Sequence, residues 1–115
     1  MRVYGFKQSM EGVMEEENTL EGEQKFVGGY IEVLGLTENL DLVCNEEGKL
    51  NHLGATAAWI EEDKVLEVIC GDCFVCRFTE DGDFAPIVES DIEVIRNILK
   101  PVVEIAGNTI YLGRK

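Results

Sequence analysis

Residues 27–50 read VGGYIEVLGLTENLDLVCNEEGKL, and this stretch decides the type of fold. Residues 30–34 and 40–44 alternate between side chains that suit the two faces of a sheet, which is the pattern of half-buried β-strands. The pair Gly28 and Gly29 comes before the first run, and the turn residues 46–48 follow the second. Two strands of one sheet are therefore predicted here.

Two short helices are predicted outside this stretch. Asn18 is a capping residue three positions before a carboxylate, which predicts a helix from about Thr19 to Val27. The residues Ser90-Asp91-Ile92-Glu93 form a capping-box pattern, which predicts a second helix from Asp91 to about Leu99. Both helices are short enough to pack as single elements on the sheet.

Further strands are predicted from β-prone runs elsewhere in the chain. Residues 2–6 suit a first strand, and residues 65–78 predict one bent strand or two paired strands. Residues 102–112 predict a closing hairpin with its turn at Gly107-Asn108, whereas residues 8–17 read as a solvated loop and residues 55–60 as a helical or irregular stretch. The fold class is therefore α+β: one domain over residues 1–115, with a mostly antiparallel sheet of about five to six strands and two short helices packed on it.

The chain is strongly acidic, with 23 acidic and 10 basic residues and a formal net charge of −13. Such a surface repels phosphate, so direct binding to nucleic acid or to an anionic membrane is disfavoured and basic partners are expected. No run of residues approaches the roughly 18 apolar positions of a transmembrane helix. We therefore expect a cytoplasmic protein.

The cysteines suggest a metal site as an alternative. Cys70, Cys73 and Cys76 have a C-x2-C-x2-C spacing, which begins some iron–sulfur motifs, but Glu80 stands where the fourth cysteine would be. Cys44 would have to join them from another strand to complete a four-cysteine zinc or iron–sulfur module. In a single strand Cys70 and Cys76 would point one way and Cys73 the other. We therefore expect reduced, buried thiols and no cofactor.

The motifs of common enzyme classes are missing from the sequence. There is no phosphate-binding G-x-x-x-x-G-K-[ST], no dinucleotide-binding G-x-G-x-x-G and no nucleophile-bearing G-x-S-x-G. His52 is the only histidine, which leaves at most one imidazole for general-base chemistry. The sequence therefore predicts a protein that is not an enzyme.

The blocks VGGYIE at residues 27–32 and NEEGKL at residues 45–50, with Gly71-Asp72 before an apolar strand, resemble a family of small uncharacterised proteins carried by bacteriophages and mobile elements. The resemblance covers about residues 19–78 and implies a shared fold and a host bacterial cell. Some proteins of this neighbourhood look like anti-defence proteins, including anti-CRISPR inhibitors of RNA-guided nucleases. The resemblance identifies no catalytic residue.

From these observations we expect a non-enzymatic protein that binds and inhibits a host protein. The leading candidate for this host protein is an RNA-guided nuclease with a basic nucleic-acid surface. A homo-oligomer formed through an exposed sheet edge, with Trp59 and Tyr111 as candidates, is a further alternative. The residues predicted to contact the partner form three acidic clusters: Glu15, Glu16 and Glu17; Glu61, Glu62 and Asp63; and Glu80, Asp81 and Asp83.

Overall fold

The computed structural model describes residues 1–7, 10–48, 53, 55–61, 64–105 and 108–114. Within these residues the chain forms ten strands and two helices. In chain order they are β1 (Arg2–Lys7), β2 (Met10–Glu15), α1 (Leu20–Val27), β3 (Ile31–Gly35), β4 (Leu40–Asn45), β5 (Ala55–Glu61), β6 (Lys64–Cys70), β7 (Cys73–Phe78), β8 (Phe84–Ala85), α2 (Glu89–Ile98), β9 (Lys100–Ile105) and β10 (Asn108–Arg114).

The described strands form two sheets. Sheet A has the order β2-β1-β7-β4-β3, with the short β8 paired to β7, and all of its pairs are antiparallel. Sheet B has the order β6-β5-β10-β9, in which β5 and β10 are parallel. The predicted α+β class, with a mostly antiparallel six-stranded sheet and two short helices, is confirmed, and sheet B is an addition to it.

One face of sheet A is covered by α1. Val3, Val43 and Phe74 are buried on this face, and Val27 of α1 packs with them. The ring of Phe26 meets that of Phe74 edge to face, with centroids 5.0 Å apart. This apolar contact lies under the C-terminal half of α1.

The opposite face of sheet A is covered by sheet B and α2. Tyr4, Leu42 and Val75 of sheet A share one buried cluster with Ile69 of β6 and Ile95 of α2. The strands of sheet A therefore bury side chains on both faces, because alternate residues point to α1 and to sheet B. Sheet A is the middle layer of the molecule.

Two stretches differ from the expectation. Residues 8–17 were predicted as a solvated loop, but Met10–Glu15 forms β2 and pairs with β1 as the edge of sheet A. An edge strand has one side open to water, so it tolerates the charged residues that suggested a loop. Residues 55–60 were predicted as helical or irregular, but they lie in β5, between β6 and β10.

The helix starts also differ in detail. The cap of α1 is Thr19, whose Oγ1 accepts a hydrogen bond from the Gly22 N–H at 3.0 Å. The cap of α2 is Val88, whose N–H donates to Asp91 Oδ2 at 2.8 Å. The prediction of Asn18 and Ser90 as caps is therefore wrong by one or two positions, because a neighbouring side chain satisfies the first backbone N–H groups.

The segment 65–78 forms two strands, as one of the two alternatives predicted, but they do not pair with each other. Gly71 has a φ of +89° and turns the chain from β6 in sheet B to β7 in sheet A. The predicted closing hairpin is present as the antiparallel pair β9 and β10. Asn108 begins β10 rather than completing the turn, and Gly107 lies outside the described residues.

Candidate protein-binding surface

Acidic side chains gather at one end of sheet A, where β2 and β7 end, β4 begins and both helices start. The antiparallel pairing brings these chain segments to the same end, because neighbouring strands run in opposite directions. We call this region the acidic end. Its exposed carboxylates are those of Glu15, Glu17, Glu38, Glu80, Asp81, Asp83 and Glu89.

The turn between β7 and β8 presents one of the predicted clusters. The Thr79 N–H donates to the Asp83 carbonyl at 2.8 Å, and the Gly82 N–H donates to the Thr79 carbonyl at 2.9 Å. Gly82 has a φ of +86°, a conformation that a side chain disfavours. The turn is therefore well defined, and it exposes Glu80 and Asp81 at its tip.

The segment after β2 lies beside this turn. Asn18 Nδ2 donates to the carbonyl of Phe84 at 3.3 Å, and Phe84 pairs with Phe78 at the end of β7. Glu17 precedes Asn18 and is exposed. The structure thus brings the first and third predicted clusters to the same end of the sheet, although they are far apart in the sequence.

The cations that the described residues place at this end are already paired. The Met1 ammonium lies 3.3 Å from Glu15 Oε2, and Arg2 Nη2 lies 3.1 Å from Glu89 Oε2. Arg77 makes two bonds to the buried Asp91, from Nε at 2.6 Å and from Nη2 at 2.7 Å. Within the described part of the chain, the carboxylates of Glu17, Glu38, Glu80, Asp81 and Asp83 have no ion-pair partner.

Glu16 does not belong to the exposed surface. Its N–H donates to the Met1 carbonyl at 2.9 Å, which continues the hairpin for one residue beyond β2. Its side chain turns inward and is only 8 % exposed, while Glu15 and Glu17 point to solvent. Glu16 lies inward because the alternation of the strand extends past its last paired residue, and its contact with a partner stays a prediction.

The second predicted cluster stays a prediction. Glu61 is the last residue of β5 in sheet B. Glu62 and Asp63 lie outside the described residues. The acidic end of sheet A is thus defined without this cluster.

The blocks VGGYIE and NEEGKL meet at the opposite end of sheet A. Asn45, which is buried, donates from Nδ2 to the Val27 carbonyl at 3.1 Å and accepts from the Glu47 N–H on Oδ1 at 2.8 Å. Gly28 has a φ of +82° and ends α1. A Cβ on Gly29 would lie 3.0 Å from Asn45 Nδ2. These residues thus join α1, β3 and the turn after β4, which is a structural role.

A small cavity lies next to this junction, between the two sheets. It has a volume of about 100 Å³ and is lined by Glu32, Cys44, Asn45 and Cys70, among others. Both polar groups of the Asn45 side chain are already bonded within the protein. The cavity therefore offers no uncommitted amide to a ligand.

Comparison with known proteins gives one match. The model of a domain of unknown function (DUF3846) matches residues 1–100. The chain belongs to this family. No curated protein and no solved structure matches it.

The matched region of this DUF3846 domain contains both helices, all strands of sheet A and the whole acidic end. It stops within β9, so β10 and most of the closing hairpin lie beyond it. The family description assigns no activity.

The four cysteines of the DUF3846 domain do not all lie together, although Cys44 and Cys73 share the buried cluster facing sheet B. Cys73 belongs to the buried cluster facing sheet B, whereas Cys76 belongs to the one facing α1. Cys70 lines the same cavity as Cys44, so it does not share a side with Cys76 as strand alternation had predicted. The reason is the turn at Gly71, which breaks the strand. Among the described residues no group of metal-binding side chains is arranged to hold an ion.

The closing hairpin provides little support for self-association through Tyr111. This residue is only 6 % exposed, and its ring packs against Phe6 with centroids 4.9 Å apart. Its strand, β10, is paired on both sides, by β5 and by β9. Trp59 lies in β5, and its backbone is likewise paired on both sides. Neither residue lies on an edge strand, since β10 and β5 are the inner strands of sheet B.

None of the helices formed by the described residues is long and apolar enough to cross a membrane.

Proposed function

We propose that this DUF3846 domain is a non-enzymatic accessory protein of a bacteriophage or mobile element, and that it binds and inhibits a host protein through the acidic end. The proposed partner surface is the basic nucleic-acid channel of an RNA-guided defence nuclease in the host cytoplasm. The domain would occupy this channel in place of nucleic acid.

One observation carries the proposal: acids from separate parts of the sequence converge on one end of sheet A without matching cations. Helix starts explain some acids, because a carboxylate in the first turn stabilises a helix through its dipole. Among the carboxylates of the acidic end, that explanation applies to Glu89. It does not apply to Glu80, Asp81 and Asp83, which lie in a turn between strands.

Electrostatics support the choice of partner. Unpaired, exposed carboxylates on a compact body attract Lys and Arg side chains, and the nucleic-acid channels of RNA-guided nucleases are positively charged. These contacts between opposite charges are screened by salt, so their contribution to affinity falls as the ionic strength rises. The net charge of −13 adds a long-range attraction to the local one.

A direct binding measurement tests the proposal. Purified domain would be titrated against a panel of purified RNA-guided nucleases lacking guide RNA, at about 0.1 M salt, where the Debye length is about 10 Å, and at about 0.5 M. We expect binding to at least one nuclease, a large loss of affinity at the higher salt, and inhibition of DNA cleavage. Binding to none of the panel, or binding that salt leaves unchanged, would refute the electrostatic mechanism.

Two matched variants locate the contact. E80Q/D81N removes two charges from the acidic end, whereas E46Q/E47Q removes two charges from a turn at the opposite end of sheet A. All four side chains are exposed, and both variants change the net charge equally. We expect only E80Q/D81N to weaken binding strongly. Equal losses would mean that total charge, and not this surface, determines the affinity.

A further inference from the structure

The N-terminal half of α1 lies over a polar part of sheet A. Glu23 is on the buried side of the helix and is 5 % exposed, and Glu16 is 8 % exposed. In the sheet beneath, Asp41 of β4 and Cys76 of β7 are directly paired. Burial and the charges of Asp41, Glu16 and Glu23, in that order, raise the pKa of Cys76 to about 12. Cys76 belongs to the buried cluster facing α1, so Asp41 and Cys76 lie on the face of sheet A that this helix covers.

Glu16 is the unusual member of this group. Both of its carboxyl oxygens are buried, and neither has a hydrogen-bond partner among the described residues. An ionised carboxylate in such a place is costly unless it is paired. Burial first, and then the neighbouring charge of Glu23, raise the pKa of Glu16 to about 7.

The other charged groups around Glu16 do not reverse this effect. Glu17 raises the pKa of Glu16 slightly further, and only the Met1 ammonium lowers it. That ammonium is shared, because it also pairs with Glu15 Oε2 at 3.3 Å. Burial also raises the pKa values of Glu23 and Asp41. The site therefore favours neutral carboxyl groups over carboxylates.

The C-terminal half of α1 is held quite differently. Val27 is 2 % exposed, and Phe26 packs edge to face on Phe74. Asn45 donates to the Val27 carbonyl, and Gly28 caps the helix. The Lys7 ammonium also lies over the Phe26 ring, 4.7 Å from its centroid, and no carboxyl group takes part in these contacts. The two halves of this eight-residue helix therefore differ in what fixes them to the sheet.

We propose that the N-terminal half of α1 lies on sheet A only while the buried carboxyl group of Glu16 is neutral, and that loss of its proton to water releases this half while the C-terminal half stays docked. Release would expose the carboxylates of Glu16 and Glu23 beside Glu17. The acidic end would then become more negative as the pH rises through neutrality. Only this last consequence rests on the proposed function, since the release itself needs no partner.

Amide hydrogen exchange of the isolated domain tests the release. The Glu23 N–H, bonded to the Thr19 carbonyl at 2.9 Å, reports on the first half of α1, and the Gly28 N–H, bonded to the Gln24 carbonyl at 2.8 Å, reports on its end. After correction for the chemical exchange rate, we expect protection of Glu23 to fall at least about tenfold between about pH 5 and pH 7, with Gly28 unchanged. Equal protection of Glu23 at both pH values would overturn the proposal.

Variants identify the responsible carboxyl group. E16Q keeps the shape of the neutral side chain and cannot ionise, so Glu23 should stay protected up to about pH 8. E17Q removes the exposed neighbouring charge and should retain the wild-type pH dependence. A pH dependence that persists in E16Q would contradict the role of Glu16.

A titration of the wild-type protein covers the case in which E16Q fails to fold. The side-chain carboxyl 13C shift of Glu16 should titrate with a midpoint near 7. A midpoint near the ordinary value of 4.5 would overturn the proposal. Because no partner is present in these experiments, their result and that of the binding experiment can be told apart.

Discussion

Asn45→Ala should destabilise the domain strongly, because this side chain joins three elements of the fold. It lies in a buried position where its Nδ2 donates to the last helical carbonyl, that of Val27, at 3.1 Å. Its Oδ1 accepts from the Glu47 N–H at 2.8 Å in the turn after β4. Alanine removes both bonds and can replace neither.

The magnitude follows from these two bonds. Each contributes a net stabilisation of about 1 kcal/mol, and a buried carbonyl left without a donor costs about 1–3 kcal/mol. The Val27 carbonyl would be in that position. We therefore expect a loss of about 2–4 kcal/mol in the free energy of unfolding, which is a large part of the roughly 5–15 kcal/mol typical of a domain.

Urea denaturation followed by far-UV circular dichroism measures this loss. With a slope of about 1.5 kcal/mol/M for a chain of this size, the midpoint should fall by roughly 1.3–2.7 M. Asn39→Ala is the control, because Asn39 is exposed and its side chain makes no hydrogen bond among the described residues. If Asn45→Ala lowers stability no more than Asn39→Ala does, the structural role given to this junction is incorrect.

Three further predictions concern stability. Gly48→Ala should lower the free energy of unfolding, measured by urea denaturation, by about 2 kcal/mol, because a Cβ would collide with the backbone carbonyl of Cys70. An unchanged urea midpoint would show that the turn can shift freely. Asp91→Asn should cost about 2 kcal/mol at neutral pH by removing charged hydrogen bonds from Arg77. Burial alone would raise the pKa of Asp91, but its bonds to Arg77 and Val88 outweigh this and lower the pKa. The difference in unfolding free energy between Asp91→Asn and wild type should therefore vanish as the pH falls below about 4. A difference that persists at lower pH would contradict this explanation. The free energy of unfolding should also decline as the pH rises from 4.5 to about 7, because folding raises the pKa of Glu16. This decline should be weaker in E16Q. A decline of the same size in E16Q would mean that other groups cause the decline.

Strands β3 and β4 of sheet A could be predicted because their signal is local. β3 and β4 show alternation within five or six residues, and Gly28, with a φ of +82°, ends the helix before them. Helix α1 likewise follows from a capping residue and from Gly28. In each case the information lies within one element and its ends.

Sheet B could not be predicted in the same way, because its order depends on distant pairings. The residues of β5, with adjacent alanines, favour a helix by intrinsic propensity, and their position between β6 and β10 overrides it. The partner β10 lies about fifty residues further along the chain and runs parallel to β5. Nothing within residues 55–61 indicates that partner.

The candidate surface was predictable in part. The sequence indicates acidic turns, and two of them do meet at the acidic end. It does not indicate that they meet, because the Asn18 contact to Phe84 joins segments 66 residues apart. It also does not distinguish Glu16 from Glu15 and Glu17, since three identical side chains give no sign of which one turns inward. That distinction depends on the direction in which the hairpin continues.

The most direct test of the account compares the affinity of a purified RNA-guided nuclease for the wild-type domain, for E80Q/D81N and for E46Q/E47Q at low salt. We predict that the acidic-end variant loses at least about tenfold in affinity, or about 1.4 kcal/mol, whereas the opposite-end variant stays within about threefold of wild type. Equal affinities for all three proteins would contradict the claim that the acidic end is the binding surface.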